Sequence, residues 1–161
     1  FRSDQVVAKY PVASYGTPRA ALVQVTTDAF FGCQARMASR AAVLGHPDVP
    51  AYRYLFARAL VPARGAFHGE ELPYVFQRLA RFVATVPADY ATVEADLLAL
   101  WTGFAKTGAP SAPALLAWPQ VSQVEPTQQL DATLSTLSGW RNDECDLWDS
   151  LGGIDLPAPP P

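Results

Sequence analysis

AYRYLFARALVPARGAFHGEEL, residues 51–72, is the stretch from which both the fold and the chemistry of this chain can be read. Tyr52, Tyr54 and Phe56 alternate with Arg53, Leu55 and Ala57, an aromatic period of two that predicts a strand over 51–58. The strand runs into a loop over 59–67, broken by Pro62 and Gly65. The loop delivers His68, followed by Gly69, Glu70, Glu71 and Leu72. A neutral imidazole held at a loop end can take a proton from a hydroxyl and return it to a leaving alcohol. Gly69 behind it lets another backbone approach closely.

Working outward, a helix is expected to begin near Thr26 or Thr27, with Asp28 in its first turn and Gly45 as its terminator. Ala29, Cys33, Met37, Ala41 and Leu44 recur at helical spacing. Residues 1–25 read as irregular, with Tyr10-Pro11 and Tyr15-Gly16-Thr17-Pro18 as turns. Downstream, Leu72 to Ala84 reads as a short helix. Asp89 to Thr107 reads as a long one, striped by Val93, Leu97, Leu100, Trp101 and Phe104 and closed by Gly108 and Pro110. Leu130, Ala132 and Leu134 alternate like an edge strand, and Cys145 to Trp148 fits a terminal helical turn. The proline-rich end, 152–161, reads as a mobile tail.

Composition narrows the function. Half of the 161 residues are apolar, 17% are charged and the net charge is −3, which leaves no basic stripe for nucleic acid. No apolar run approaches the roughly 18 residues that span a bilayer. The chain begins at Phe1, so a cleaved or truncated N-terminus is expected. The two histidines and two cysteines show no short metal-ligand spacing, and no phosphate-cradling glycine loop calls for a nucleotide, so neither metal nor cofactor is expected. His46, between Gly45 and Pro47, reads as a turn residue. Glu70 and Glu71 are adjacent and so point apart, which fits a solvated or structural pair better than two-carboxylate catalysis. No Gly-x-Ser-x-Gly pentapeptide occurs, and the residues alone therefore offer a base with nothing to activate. Counting leaves Cys33 and Cys145 as either two buried thiols or one long-range disulfide.

Several phrases taken together resemble the C-terminal third of type B carboxylesterases, the α/β-hydrolase family that includes the cholinesterases and neuroligins. They are Thr27 to Cys33, Tyr52 to Phe56, Gly65 to Phe76, Trp101 to Pro110, Trp118-Pro119 and Cys145 to Trp148, in the family's order over about residues 10–150. The resemblance implies an α/β fold, with 1–151 a C-terminal segment of the catalytic domain that is incomplete on its own. It implies that His68 is similar to the triad histidine of a serine carboxylesterase. The Ser nucleophile, the Glu or Asp, and the oxyanion loop would then belong to an N-terminal portion preceding Phe1, which becomes the expected partner. The isolated chain should be inactive. Asp28, in a matching phrase but on a helix, reads as structural. Cys33 and Cys145 are similar to partners of a family disulfide, which implies a secreted or periplasmic protein. Glu71 is expected to brace the histidine loop through an ion pair, and Phe67 or Tyr74 to border the pocket for a small ester. A non-catalytic binding protein of the same fold, like the neuroligins, is the alternative.

Overall fold

The computed structural model describes residues 2–152 and 156–160, which pack as two compact units. One unit contains 1–51, 121–125 and 139–161; the other contains 52–120 and 126–138.

The second unit holds the sheet. Strand β1 (Tyr54–Phe56) pairs in parallel with β2 (Pro126–Leu130), in the register Tyr54 to Gln128 and Phe56 to Leu130. Hydrogen bonds at Arg53 and Ala57 extend the ladder at both ends, so the expected strand is shorter than read but correctly placed. β2 pairs antiparallel with β3 (Ser135–Ser138), giving the order β1-β2-β3. The alternation read at Leu130, Ala132 and Leu134 is therefore not an edge strand: the chain turns over 131–134, and the preceding 126–130 forms the central strand. That strand escapes a hydrophobic reading because it buries polar side chains. Arg53 Nε donates to Thr127 Oγ1 at 2.8 Å, and Thr136 donates to Gln128 Oε1 at 3.1 Å. These bonds satisfy the buried Thr127 hydroxyl and Gln128 Oε1, while Gln128 Nε2 is buried without a hydrogen-bond partner among the described residues.

A parallel pair needs a crossover, and here the crossover contains the long helix α6 (Ala88–Thr107). Its start lies within one residue of expectation. Val93, Leu97 and Leu100 form its buried stripe and meet Tyr74, Val75, Leu79 and Leu130 in one core. Gly108, left-handed at φ +77°, ends it as its N–H bonds the Phe104 carbonyl. The helix expected over Leu72 to Ala84 breaks early. α5 covers Leu72–Val75, and a separate 3₁₀ turn covers Leu79–Arg81. Gln77 at φ +52° interrupts the path, and Arg78 N–H closes onto the Pro73 carbonyl at 2.7 Å instead of continuing the ladder.

The other unit is helical. Helices α1 (Ser3–Lys9), α2 (Val12–Tyr15) and α3 (Pro18–Thr27) replace the irregular start expected for 1–25. The Tyr15-Gly16-Thr17-Pro18 phrase is a helix junction rather than a loop turn. Gly16 at φ +76° ends α2, Thr17 Oγ1 caps Ala20 N–H at 3.1 Å, and Pro18 opens α3. Thr26 and Thr27, the two expected caps, both lie inside α3, where Thr26 bonds back to the Leu22 and Val23 carbonyls. The helix continues through a π-helical turn, Asp28–Gly32, into α4 (Cys33–Gly45). Cys33 is buried as expected, but Ala41 is exposed, and the buried face carries Arg36 and Val43.

α7 (Asn142–Gly152) is joined to α4 by the Cys33–Cys145 disulfide, with Cα atoms 5.0 Å apart. Arg36 fastens the same pair of helices, reaching Asp146 at 2.6 Å and Asp149 at 3.1 Å, while Nε contacts Glu125 at 3.1 Å. Arg40 pairs with Glu125 as well. Asp28 is fully buried and accepts from Tyr10 at 3.0 Å, Gln24 at 2.9 Å and Arg141 Nε at 3.0 Å. Glu125 at φ +47° and Arg141 at φ +60° hold left-handed backbone in non-glycine residues, strain that their buried ion pairs offset. Of the tail expected over 152–161, residues 153–155 and 161 lie outside the described residues. Within the described part Pro159 is buried, so packing reaches at least that residue.

Candidate functional site

His68 occupies the second position of a turn, Phe67 to Glu70, that is closed twice. Glu70 N–H bonds the Phe67 carbonyl at 3.0 Å, and Phe67 N–H returns a bond to Glu70 Oε2 at 2.9 Å. Gly69, the third residue, sits at φ +85°, where a side chain would be strained. The His68 side chain is exposed, and the turn presents it outward.

The other carboxylate oxygen of Glu70 reaches back along the chain. Oε1 accepts from Leu60 N–H at 2.6 Å, so a single side chain, 1% exposed, bonds the loop at its start and at its end. Ala59, next to Leu60, is fixed independently, because the Tyr90 hydroxyl of α6 donates to its carbonyl at 3.2 Å. Arg58, at the end of the β1 ladder, pairs with Asp89 and lies 4.2 Å from the centre of the Tyr90 ring.

The other residues expected at the site have different surroundings. Glu71 accepts from the Tyr54 hydroxyl at 3.4 Å and pairs with no cation among the described residues, whereas the bonds across the loop come from Glu70. The helical turn of α5 that follows points the two neighbours apart, which puts Glu70 inward. Burial, with the charge of Glu71 adding to it, pushes the Tyr54 hydroxyl up to about 12. Phe67 is 65% exposed, whereas Tyr74 is wholly buried between Phe56 and Tyr90, as part of the core. Burial raises the Tyr74 hydroxyl well above its ordinary value.

A recess in this unit is lined by Tyr52, Tyr54, Trp101, Phe104 and Trp118, with Leu100 and Pro110. It encloses about 160 Å³, and its rings meet edge to face, Tyr54 against Trp101 at 5.3 Å and 73°. Tyr52 and Tyr54 were legible as strand residues and Trp101 and Phe104 as helix-stripe residues, but not as one cluster with Trp118. Glu70 was missed because nothing in a sequence distinguishes a carboxylate that accepts backbone N–H groups from the carboxylate beside it. The one available signal was its place directly after the His-Gly pair. Among the described residues no group of His, Cys, Asp and Glu could hold a metal ion, and no helix is long and apolar enough to cross a membrane.

The carboxylesterase family model matches residues 3–148. The chain belongs to the carboxylesterase family. Among solved structures, this carboxylesterase-family chain is similar to a pNB esterase, with a TM-score of 0.71 at 23% identity, covering 88% of this chain and 30% of that one. A thermophilic pNB esterase aligns with a TM-score of 0.67 at 24% identity, covering 89% of this chain and 30% of that one. An esterase from the anaerobe Clostridium hathewayi, described as able to hydrolyze aliphatic aromatic polyesters, aligns at 0.63 and 18% identity over 86% of this chain and 31% of that one. No curated protein sequence matches. These neighbours are esterases of the α/β-hydrolase fold, and the chain spans about 30% of their length. The fold expected from the sequence is thus the fold observed.

Proposed function

We propose that this chain carries the general base of a serine carboxylesterase, and that His68 is that base. The observation that supports the reading is the doubly closed turn: a family member presents an exposed histidine from a hydrogen-bonded turn at the end of the loop that follows a parallel strand. The nucleophilic serine and the Glu or Asp partner lie in an N-terminal portion of the enzyme outside these residues. β1 supports this, since as an edge of the sheet it pairs with β2 on one side only among the described residues, leaving backbone groups that a further strand would satisfy.

In that assembly His68 removes the serine proton as the oxygen attacks the ester carbonyl. Backbone N–H groups stabilise the oxyanion, and His68 returns the proton to the departing alcohol. Water then repeats the sequence on the acyl-enzyme and releases the acid. Glu70 and Gly69 contribute geometry, not protons. The Cys33–Cys145 bridge supports a secreted or periplasmic location, where such bonds persist.

The test is hydrolysis of a p-nitrophenyl ester by the protein that joins this chain to its N-terminal portion. His68→Ala should lower kcat by about 10³-fold or more while the protein stays folded. A serine-directed phosphonate should label a residue outside 1–161, and residues 1–161 alone should release no p-nitrophenol. Full activity in the alanine variant refutes the assignment.

A further inference from the structure

We propose that Glu70 is a positioning residue for His68, a buried latch that fixes where the imidazole can reach. This deepens the reading above and rests on it for its catalytic consequence. A carboxylate that is 1% exposed must be satisfied by donors, and here both donors are backbone N–H groups. No cation pairs with Glu70 among the described residues, so the loop backbone is what the charge holds. Its two bonds reach Leu60 and Phe67, residues that bound the irregular segment delivering His68. One of them also closes the turn in which His68 sits.

The geometry has a specific chemical requirement. Each carboxylate oxygen accepts from a different N–H, one at 2.6 Å and the other at 2.9 Å. Glutamine has the same size but offers one acceptor oxygen and one NH₂, so one backbone N–H would face another donor. Aspartate keeps the charge but is one methylene shorter and cannot span both partners. Loosening either end frees the 60–67 segment, whose Pro62–Arg64 turn is a single 3₁₀ turn. The imidazole then samples positions around the working one. A displacement near 1 Å in a catalytic group costs about 10²-fold.

The experiment uses the ester-hydrolysing protein that contains this chain, with Glu70→Gln, Glu70→Asp and His68→Ala compared with the parent. Both Glu70 variants should lower kcat about 10- to 100-fold with KM within about twofold. With histidines labelled at ¹³Cε1, the His68 ring signal, assigned by its loss in His68→Ala, should split or broaden in Glu70→Gln. The other histidine signals should stay in place. Should glutamine prevent folding, the aspartate variant carries the same test. Unchanged kcat together with a single sharp His68 signal overturns the latch. Equal disturbance of all histidine signals, with a lowered Tm and raised KM, also overturns it, by showing a role in general stability only. Retained activity in His68→Ala would instead refute the base assignment, and the ring signal would still report on the latch.

Discussion

Replacing Cys33 and Cys145 together by alanine removes a cross-link between residues 112 positions apart. The unfolded chain then regains the freedom the bridge had taken from it. In the chain-entropy description a closed loop of that size is worth about 16 cal/mol/K, or about 4.8 kcal/mol at 25 °C. The native side changes less, because Arg36 still ties α4 to Asp146 and Asp149 of α7. Those ion pairs hold the folded helices together but place no constraint on the unfolded chain, so they cannot replace the bridge. The assay is urea unfolding followed by helical circular dichroism, with the oxidised parent and the alanine pair under the same conditions. With a slope of roughly 2 kcal/mol per molar urea, the midpoint should fall by about 2.4 M. A fall below about 0.5 M, with the slope unchanged, would refute the reasoning. It would mean that the unfolded chain already keeps the two segments together without the bond.

Other perturbations test the rest of the structure. At Gly103 of α6 a Cβ would overlap the backbone carbonyl oxygen of Ser111, so Gly103→Ala should destabilise by about 1–3 kcal/mol, seen as a lower Tm; an unchanged Tm would contradict that close approach. Burial works to raise the Glu125 carboxyl, but Arg40 and Arg36 outweigh it and hold the group below its ordinary 4.5. A carboxylate whose pKa is lowered by folding gives stability that is fully present above its unfolded value and is lost as pH falls through the folded value. Glu125→Gln should therefore flatten the loss of stability below about pH 4.5 and cost about 3 kcal/mol at neutral pH, measured by urea unfolding across pH. Asp149, raised mainly by burial, titrates with the opposite sign, so the comparison is made between the two proteins rather than within one. An identical acid limb in the variant would show that the cluster does not hold Glu125 ionised.

The candidate site was legible in proportion to how local its physics is. His68 could be found because a strand period, a loop broken by Pro62 and Gly65, and a lone His-Gly pair are all written within a few residues. α6 was legible for the same reason, since its stripe and its Gly108 cap repeat within single turns. The helices before Thr26 were missed because a glycine and a proline that look like a loop serve here as the end of one helix and the start of the next. β2 was missed because its buried Thr127 and Gln128 depend on Arg53 and Thr136, partners supplied from other strands.

By itself, then, the sequence determined the family's ordered phrases, the long helix and the histidine that ends the loop. These rest on local periodicity and on residues with few alternative uses. The Cys33–Cys145 bond had been implied by the family resemblance, whereas only the tertiary structure decided which of two neighbouring glutamates is buried and that Tyr74 belongs to the core. Each of these depends on which groups arrive from distant parts of the chain. A carboxylate such as Glu70 becomes a latch only when folding brings the Leu60 and Phe67 N–H groups to its two oxygens.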